Sequence, residues 1–140
     1  MSPITTVESG TTLRNRLSRS IVLAIRTLMR QAAPNQLSLD LAAFVVLALE
    51  KIQESIETSA LAWEKRDYWL KADRFRMDWQ WVGESQKNLA THLIQEDWAA
   101  LASGLTLVAQ HLNRVEIRPN NRIGEPWLGA WQVFKKQYPN

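Results

Sequence analysis

Tryptophan is the residue type with the most potential for chemistry at a surface, because its ring is large and apolar and carries a hydrogen-bond donor. The 140-residue chain contains seven tryptophans, and four of them lie between residues 62 and 81. If this segment is helical, residues three, four and seven apart share a face. That spacing gives two lines along the helix, one of Trp69, Ala72, Phe75 and Trp79 and the other of Trp63, Leu70, Met77 and Trp81.

Two apolar faces on one helix favour a protein that packs one face in its own fold and presents the other to a partner. Tryptophan and arginine are also the residue types that dominate binding hot spots. Two alternatives remain open, that the tryptophans only fill the core of a small bundle, or that they form a platform for a small molecule or a nucleobase. The expected partner-interface residues are Trp63, Arg66, Trp69, Arg74 and Trp79, with Trp127 and Trp131 as a second patch.

Arginine gives the first part of the chain a positive charge. Residues 1–36 carry five arginines against one acid, Glu8, whereas residues 37–62 carry four acids against one lysine. The two segments could pair as neighbouring helices or with a second copy of the chain. They could also leave a basic surface for a nucleic-acid backbone or for an anionic membrane. The candidate residues for an anionic partner are Arg14, Arg16, Arg19, Arg26 and Arg30.

Evidence for a catalytic, metal or cofactor site is weak. His92 and Glu96 stand four residues apart and could share a metal, but a third ligand would have to come from elsewhere. The chain has no cysteine, which excludes thiolate sites and suits a reducing compartment. It also lacks a phosphate-binding loop and a nucleophile elbow. We therefore expect no enzyme activity, no metal and no cofactor.

Targeting signals are also lacking. The first ten residues, MSPITTVESG, have neither a basic start nor an apolar stretch of the kind found in a signal peptide. The longest apolar run, 41–49, is about half the length of a membrane span. A net charge of +3 permits an anionic partner without requiring one. We expect a soluble, cytoplasmic protein without a transmembrane segment.

The elements that would position these residues are helices. Apolar residues at spacings of three and four predict a first helix that begins after a cap at Thr11 or Thr12 and ends near Ala32. From Ser38 to Val82 there is neither glycine nor proline, which predicts one long helix or two with a break near 57–59. Gly83 is expected to end it.

The rest of the chain is predicted to form two helices, a longer one and a short final one. The longer helix has a possible interruption at 103–104, and the short final helix covers 127–137. Short connections between amphipathic helices predict an all-α protein, an antiparallel three- to four-helix bundle with one long or kinked central helix and a short C-terminal helix. The expected organisation is a disordered tail at 1–10, a bundle at 11–118, and a loop with a helix packed on the bundle at 119–140.

Together, these patterns favour a non-enzymatic interaction or assembly protein, an adaptor or accessory factor, that works as a homodimer or higher homo-oligomer and binds a further protein. A nucleic-acid-binding module that uses the arginine-rich first helix is the main alternative. A tryptophan-lined small-molecule binder is a third.

Overall fold

A computed structural model describes residues 8–139 of the chain. Within that range the chain forms helices and no strands, so the all-α prediction is confirmed. Most of the expected disordered tail, residues 1–7, lies outside the described range. In chain order the helices of the described part are α1 (Gly10–Met29), α2 (Gln36–Lys65), α3 (Trp69–Asp78), α4 (Gln80–Ile94), α5 (Trp98–His111) and α6 (Ala130–Gln137).

The central element is α2, which packs against α1, α3, α4 and α6. The first half of α2 is apolar on nearly every side, so its side chains are removed from water only if other helices surround it. The neighbouring helices do surround it, and side chains of α2 such as Leu41, Leu49 and Ile52 are fully buried. The expectation of a long central helix in a helical bundle is therefore confirmed.

Side-chain contacts give the helix directions. Arg14 near the start of α1 contacts Ser55 in the second half of α2, so these helices are antiparallel. The Gln86 side chain of α4 donates a hydrogen bond to Glu50 of α2, and α4 packs along α2. A Cβ added at Gly104 of α5 would lie 2.7 Å from Leu89 of α4, so the glycine allows this hairpin to close.

The break in the predicted 38–82 helix lies at 66–68 and not at 57–59. α2 ends because Asp67 adopts a left-handed conformation with φ of 63°, which lets the Tyr68 N–H donate to the Trp63 carbonyl at 2.9 Å. Glycine usually occupies this position, so an aspartate here is a weak signal of a helix end in the sequence. A second interruption at Trp79 separates α3 from α4.

Several predicted helix ends are wrong. Gly83 lies inside α4, and Gly104 lies inside α5, where it allows close packing. The interruption falls instead at 95–97, where Glu96 has a φ of 50°. The predicted cap of α1 is also displaced, because Ser9 caps the helix and not Thr11 or Thr12. Asn35 caps α2 in a capping box with Ser38.

The C-terminal helix α6 packs along α2, as the short final helix was expected to do, although it begins at Ala130 and not at Trp127. Asp40 accepts the Trp131 backbone N–H at 3.0 Å, which satisfies one free donor at the start of α6. Phe134 is buried against the core. None of the helices in residues 8–139 is both long and apolar enough to cross a membrane.

Candidate functional site

The short helix α3 folds back on the end of α2, and one arginine forms ion pairs between the two helices. The Arg76 guanidinium forms ion pairs with the carboxylates of Glu57 and Glu64, each with a nitrogen–oxygen distance of 2.8 Å. The hydrogen bonds to Arg76 hold the pKa of both carboxyl groups below its ordinary value, and they raise the pKa of Arg76. Ala72 is the only buried residue of α3, and the half-buried Phe75 adds a further apolar contact with the core.

A row of aromatic rings, each in contact with the next, crosses this end of the bundle. Phe75 stands edge-on to Trp63 with ring centroids 4.8 Å apart, and it contacts Trp79 at 6.4 Å. Trp79 stacks on Trp81, which lies parallel to His111 at 4.3 Å. The rings come from α2, α3, α4 and α5, together with the turn between α3 and α4, so they join elements that are distant in the sequence.

Arg14 covers the middle of this row. Its guanidinium lies 4.9 Å from the Phe75 ring and 5.8 Å from the Trp79 ring, and it donates to the Ser55 hydroxyl at 3.2 Å. Arg14 is buried and makes no ion pair with a carboxylate in residues 8–139, so ring faces and hydroxyls replace the usual partner. Burial lowers the pKa of Arg14. This arginine is therefore structural.

α3 also borders an open groove. The groove has a volume of about 530 Å³ and runs past Trp69 and Leu70, which are 57% and 64% exposed. Met77, on the same helical face as Leu70, is 71% exposed. Large apolar side chains are seldom this exposed in a group, and such groups mark interaction sites. The two predicted lines are not simply packed and free: Leu70 and Met77 are exposed, but Trp63 and Trp81 of the same line are half-buried, and Trp69 of the other line is exposed.

Charged residues of both signs line the same groove. Asp67 and Asp78 stand at its two ends along the chain, with Lys71 and Arg74 between them. The Lys71 ammonium lies 4.5 Å from the Trp63 ring. Two acids and two bases make the rim neutral in sum, so the groove has no net preference for a charged partner.

The predicted interface residues occupy different environments. Arg66, Trp69 and Arg74 are exposed, whereas Trp63 and Trp79 are half-buried in the row of rings. Because α2 ends at Lys65, Trp63 is not on the helix that carries Leu70 and Met77.

The second predicted patch does not form a surface in this fold. Trp127 is buried against the core with its ring edge-on to Phe44, because the loop before α6 turns it inward. Trp131 is half-buried and stacks on Phe134, with Lys135 over its ring. Sequence reasoning left Tyr68, Leu70 and Met77 out of the expected interface. The seven-residue spacing of Leu70 and Met77, which puts them on one helical face, was the signal that could have identified these two.

The predicted arginine surface is also divided. Arg14 is buried, and Arg16 pairs with Glu8 at 2.9 Å, while Arg19, Arg26 and Arg30 are exposed. In residues 8–139, none of the α1 arginines forms an ion pair with the acids of α2. Pairing between the two oppositely charged segments, one of the alternatives, is thus not how these helices are joined.

The predicted His92–Glu96 pair gains no third ligand, since no group of three or more potential metal ligands occurs among residues 8–139. The chain matches no protein-family model, no curated protein and no solved structure.

Proposed function

We propose that the protein is a non-enzymatic helical assembly protein that acts as a homo-oligomer and pairs through the exposed face of α3. The observation that carries the proposal is the group Trp69, Leu70 and Met77, three large apolar side chains of one short helix that are each more than half exposed. Removing such side chains from water favours association by about 25 cal/mol per Å² of apolar area. We place this association in the cytoplasm.

A second copy of the chain fits the charge pattern of the groove. Two copies of α3 can lie antiparallel about a two-fold axis that passes between Leu70 and Lys71. Asp67 of each copy then faces Arg74 of the other, and the two Leu70 side chains lie beside the axis, with Trp69 at the edge of the contact. This gives an apolar centre with a charged rim, the usual anatomy of an interface. A two-fold contact requires a self-complementary surface of this kind.

A bound small molecule fits the groove less well. Binding sites for small molecules usually cover most of the ligand surface, whereas this groove is open to solvent along its length. Part of its aromatic lining is already used, because Trp63 and Phe75 pack edge to face against each other. A second helix would cover the exposed parts of Trp69 and Leu70 more completely.

Sedimentation equilibrium of three proteins tests the proposal. We expect the unmodified chain, with a monomer mass of 16.1 kDa, to form dimers or larger oligomers at micromolar concentrations. The variant Trp69→Ala/Leu70→Ser should sediment as a monomer with unchanged helix content, because both side chains are exposed. The matched control is Leu107→Ser/Leu128→Ser, which removes two equally exposed leucines elsewhere and should associate normally.

A monomeric unmodified chain at all concentrations would overturn the proposal. Equal loss of association in the two variants would overturn it as well, because general surface hydrophobicity and not the α3 face would then be the cause.

A further inference from the structure

A second groove, of about 760 Å³, lies between α1 and the loop before α6. Arg16 and Arg19 approach it from one side of α1, and Arg118 and Arg122 approach it from the loop. These segments are about a hundred residues apart in the sequence, so the fold and not the sequence gathers the four guanidinium groups. The arginine groove, as we call this site, is separate from the groove at α3.

Most of the positive charge in the arginine groove is uncompensated. Arg16 donates two hydrogen bonds to the Glu8 carboxylate, at 2.9 and 3.0 Å. The other three arginines have no ion pair with any carboxylate in residues 8–139, namely Arg19, Arg118 and Arg122. Among residues 8–139, Glu116 is the only acid that lines the groove. Elsewhere in the protein, Arg76 is shared by two glutamates.

The loop that carries two of these arginines is held by its own hydrogen bonds. Asn121 donates to the Arg118 carbonyl from both its side chain, at 2.8 Å, and its backbone, at 3.1 Å. The Asn121 side-chain oxygen accepts the Ile123 N–H at 3.1 Å. These bonds fix the backbone between Arg118 and Arg122, so the two guanidinium groups lose less freedom when a ligand binds.

We propose that the arginine groove binds the phosphodiester backbone of double-stranded nucleic acid without sequence preference. Guanidinium groups match phosphate oxygens with two parallel bonds, and such contacts supply nearly all of non-specific binding. No aromatic side chain from the described part of the chain lines the groove, so these residues give no platform on which unpaired bases could stack. A duplex, which keeps its bases inside, fits this lining better than a single strand.

Two other anionic partners fit less well. An acidic protein segment would need apolar anchors for affinity, and the lining supplies only Ile123 and Pro126. A membrane surface is flat and also requires apolar side chains that insert between lipids, whereas this site is concave. The arginine groove thus offers charge and hydrogen bonds with little apolar contact.

Fluorescence anisotropy with a labelled twenty-base-pair duplex tests the proposal. We expect binding at about 50 mM salt that weakens with a slope of about −0.9 per phosphate contacted on logarithmic axes. Arg118→Gln/Arg122→Gln should weaken binding about tenfold or more and make the slope shallower by about two. The control Lys87→Gln/Lys136→Gln makes the same change in net charge at exposed positions outside the arginine groove and should lose much less affinity.

Absence of duplex binding at low salt would overturn the proposal. An equal loss of affinity in the control would also overturn it, because binding would then depend on net charge alone. Tighter binding to a single strand of the same length, or displacement of the duplex by poly-glutamate at equal charge, would reject double-stranded nucleic acid as the ligand.

Discussion

α3 and α6 are both short helices that pack against α2, but α6 and the loop before it bury large aromatic residues more deeply than α3 does. α6 and the loop before it bury Trp127, Ala130 and Phe134. α3 buries only Ala72 and leaves Trp69 and Leu70 exposed. Packing within the fold thus accounts for the aromatic residues of α6 and for Phe75 of α3, but not for Trp69.

Their polar attachments differ as well. α3 is tied to α2 by ion pairs from Arg76 to two glutamates. At α6, the Tyr138 hydroxyl donates to Glu50 and accepts from Gln86 at 2.7 Å. The first attachment depends on charged carboxylates and the second on a protonated phenol, so pH should affect the two helices differently.

The largest effect should come from Phe134→Ala. Phe134 is 1% exposed, and truncating a buried phenylalanine costs about 3–5 kcal/mol of unfolding free energy. Leu70→Ser on α3 should change the unfolding free energy of the monomer by less than about 0.5 kcal/mol, because the side chain is mostly in water. Chemical denaturation at submicromolar protein concentration measures both. Similar losses would show that α3 is packed like α6.

Arg76→Met should release α3 without unfolding the bundle. Amide hydrogen exchange in 69–78 should accelerate, while exchange in α6 should not change. The pKa values of Glu57 and Glu64 are lowered in the fold, so their contribution is present above their ordinary pKa and is lost as the pH falls through the lowered values. Acidification should therefore loosen α3 first. Arg74→Met is the control, because Arg74 lies on the same helix and has no ion pair within residues 8–139.

The smallest effect should come from Tyr138→Phe, which removes one hydroxyl and should cost about 1 kcal/mol near neutral pH. Burial and the neighbouring Glu50 raise the pKa of Tyr138 to about 12. A raised pKa means that its contribution is present below pH 10 and is lost as the pH rises towards 12. The unfolding free energy should fall over that range in the unmodified chain and fall less in the variant. Equal pH dependence would exclude Tyr138 as the cause.

The sequence predicted the class of fold because apolar spacing is a strong signal over long helices. It did not predict the end of α2, since the residue that ends the helix is Asp67 and not a glycine. Gly83 and Gly104 were misinterpreted as helix ends, although small residues inside a helix can also serve close packing. A glycine alone does not distinguish the two roles.

The candidate sites were predicted less completely, because they depend on contacts between distant segments. Trp69 and Arg74 were expected at an interface and are exposed beside one groove. The burial of Arg14 could not be foreseen, since it requires Phe75 and Trp79 to cover a charged group. Arg118 lies in a loop, where no helical period relates it to the arginines of α1.

The most direct test of pairing through α3 uses two charge reversals, Asp67→Arg and Arg74→Asp. In the proposed two-fold arrangement, each variant alone faces like charges at both rim positions, so self-association should weaken about tenfold, equivalent to 1.4 kcal/mol. An equimolar mixture should regain association as a heterodimer, because opposite charges then meet at both positions. Thermal unfolding of each variant checks that the bundle is intact.

Sedimentation equilibrium of the mixture and of each variant alone makes this measurement. We expect association in the mixture comparable to that of the unmodified chain. A mixture that remains as weakly associated as its components, with both variants folded, would contradict the pairing of Asp67 with Arg74 across the α3 interface.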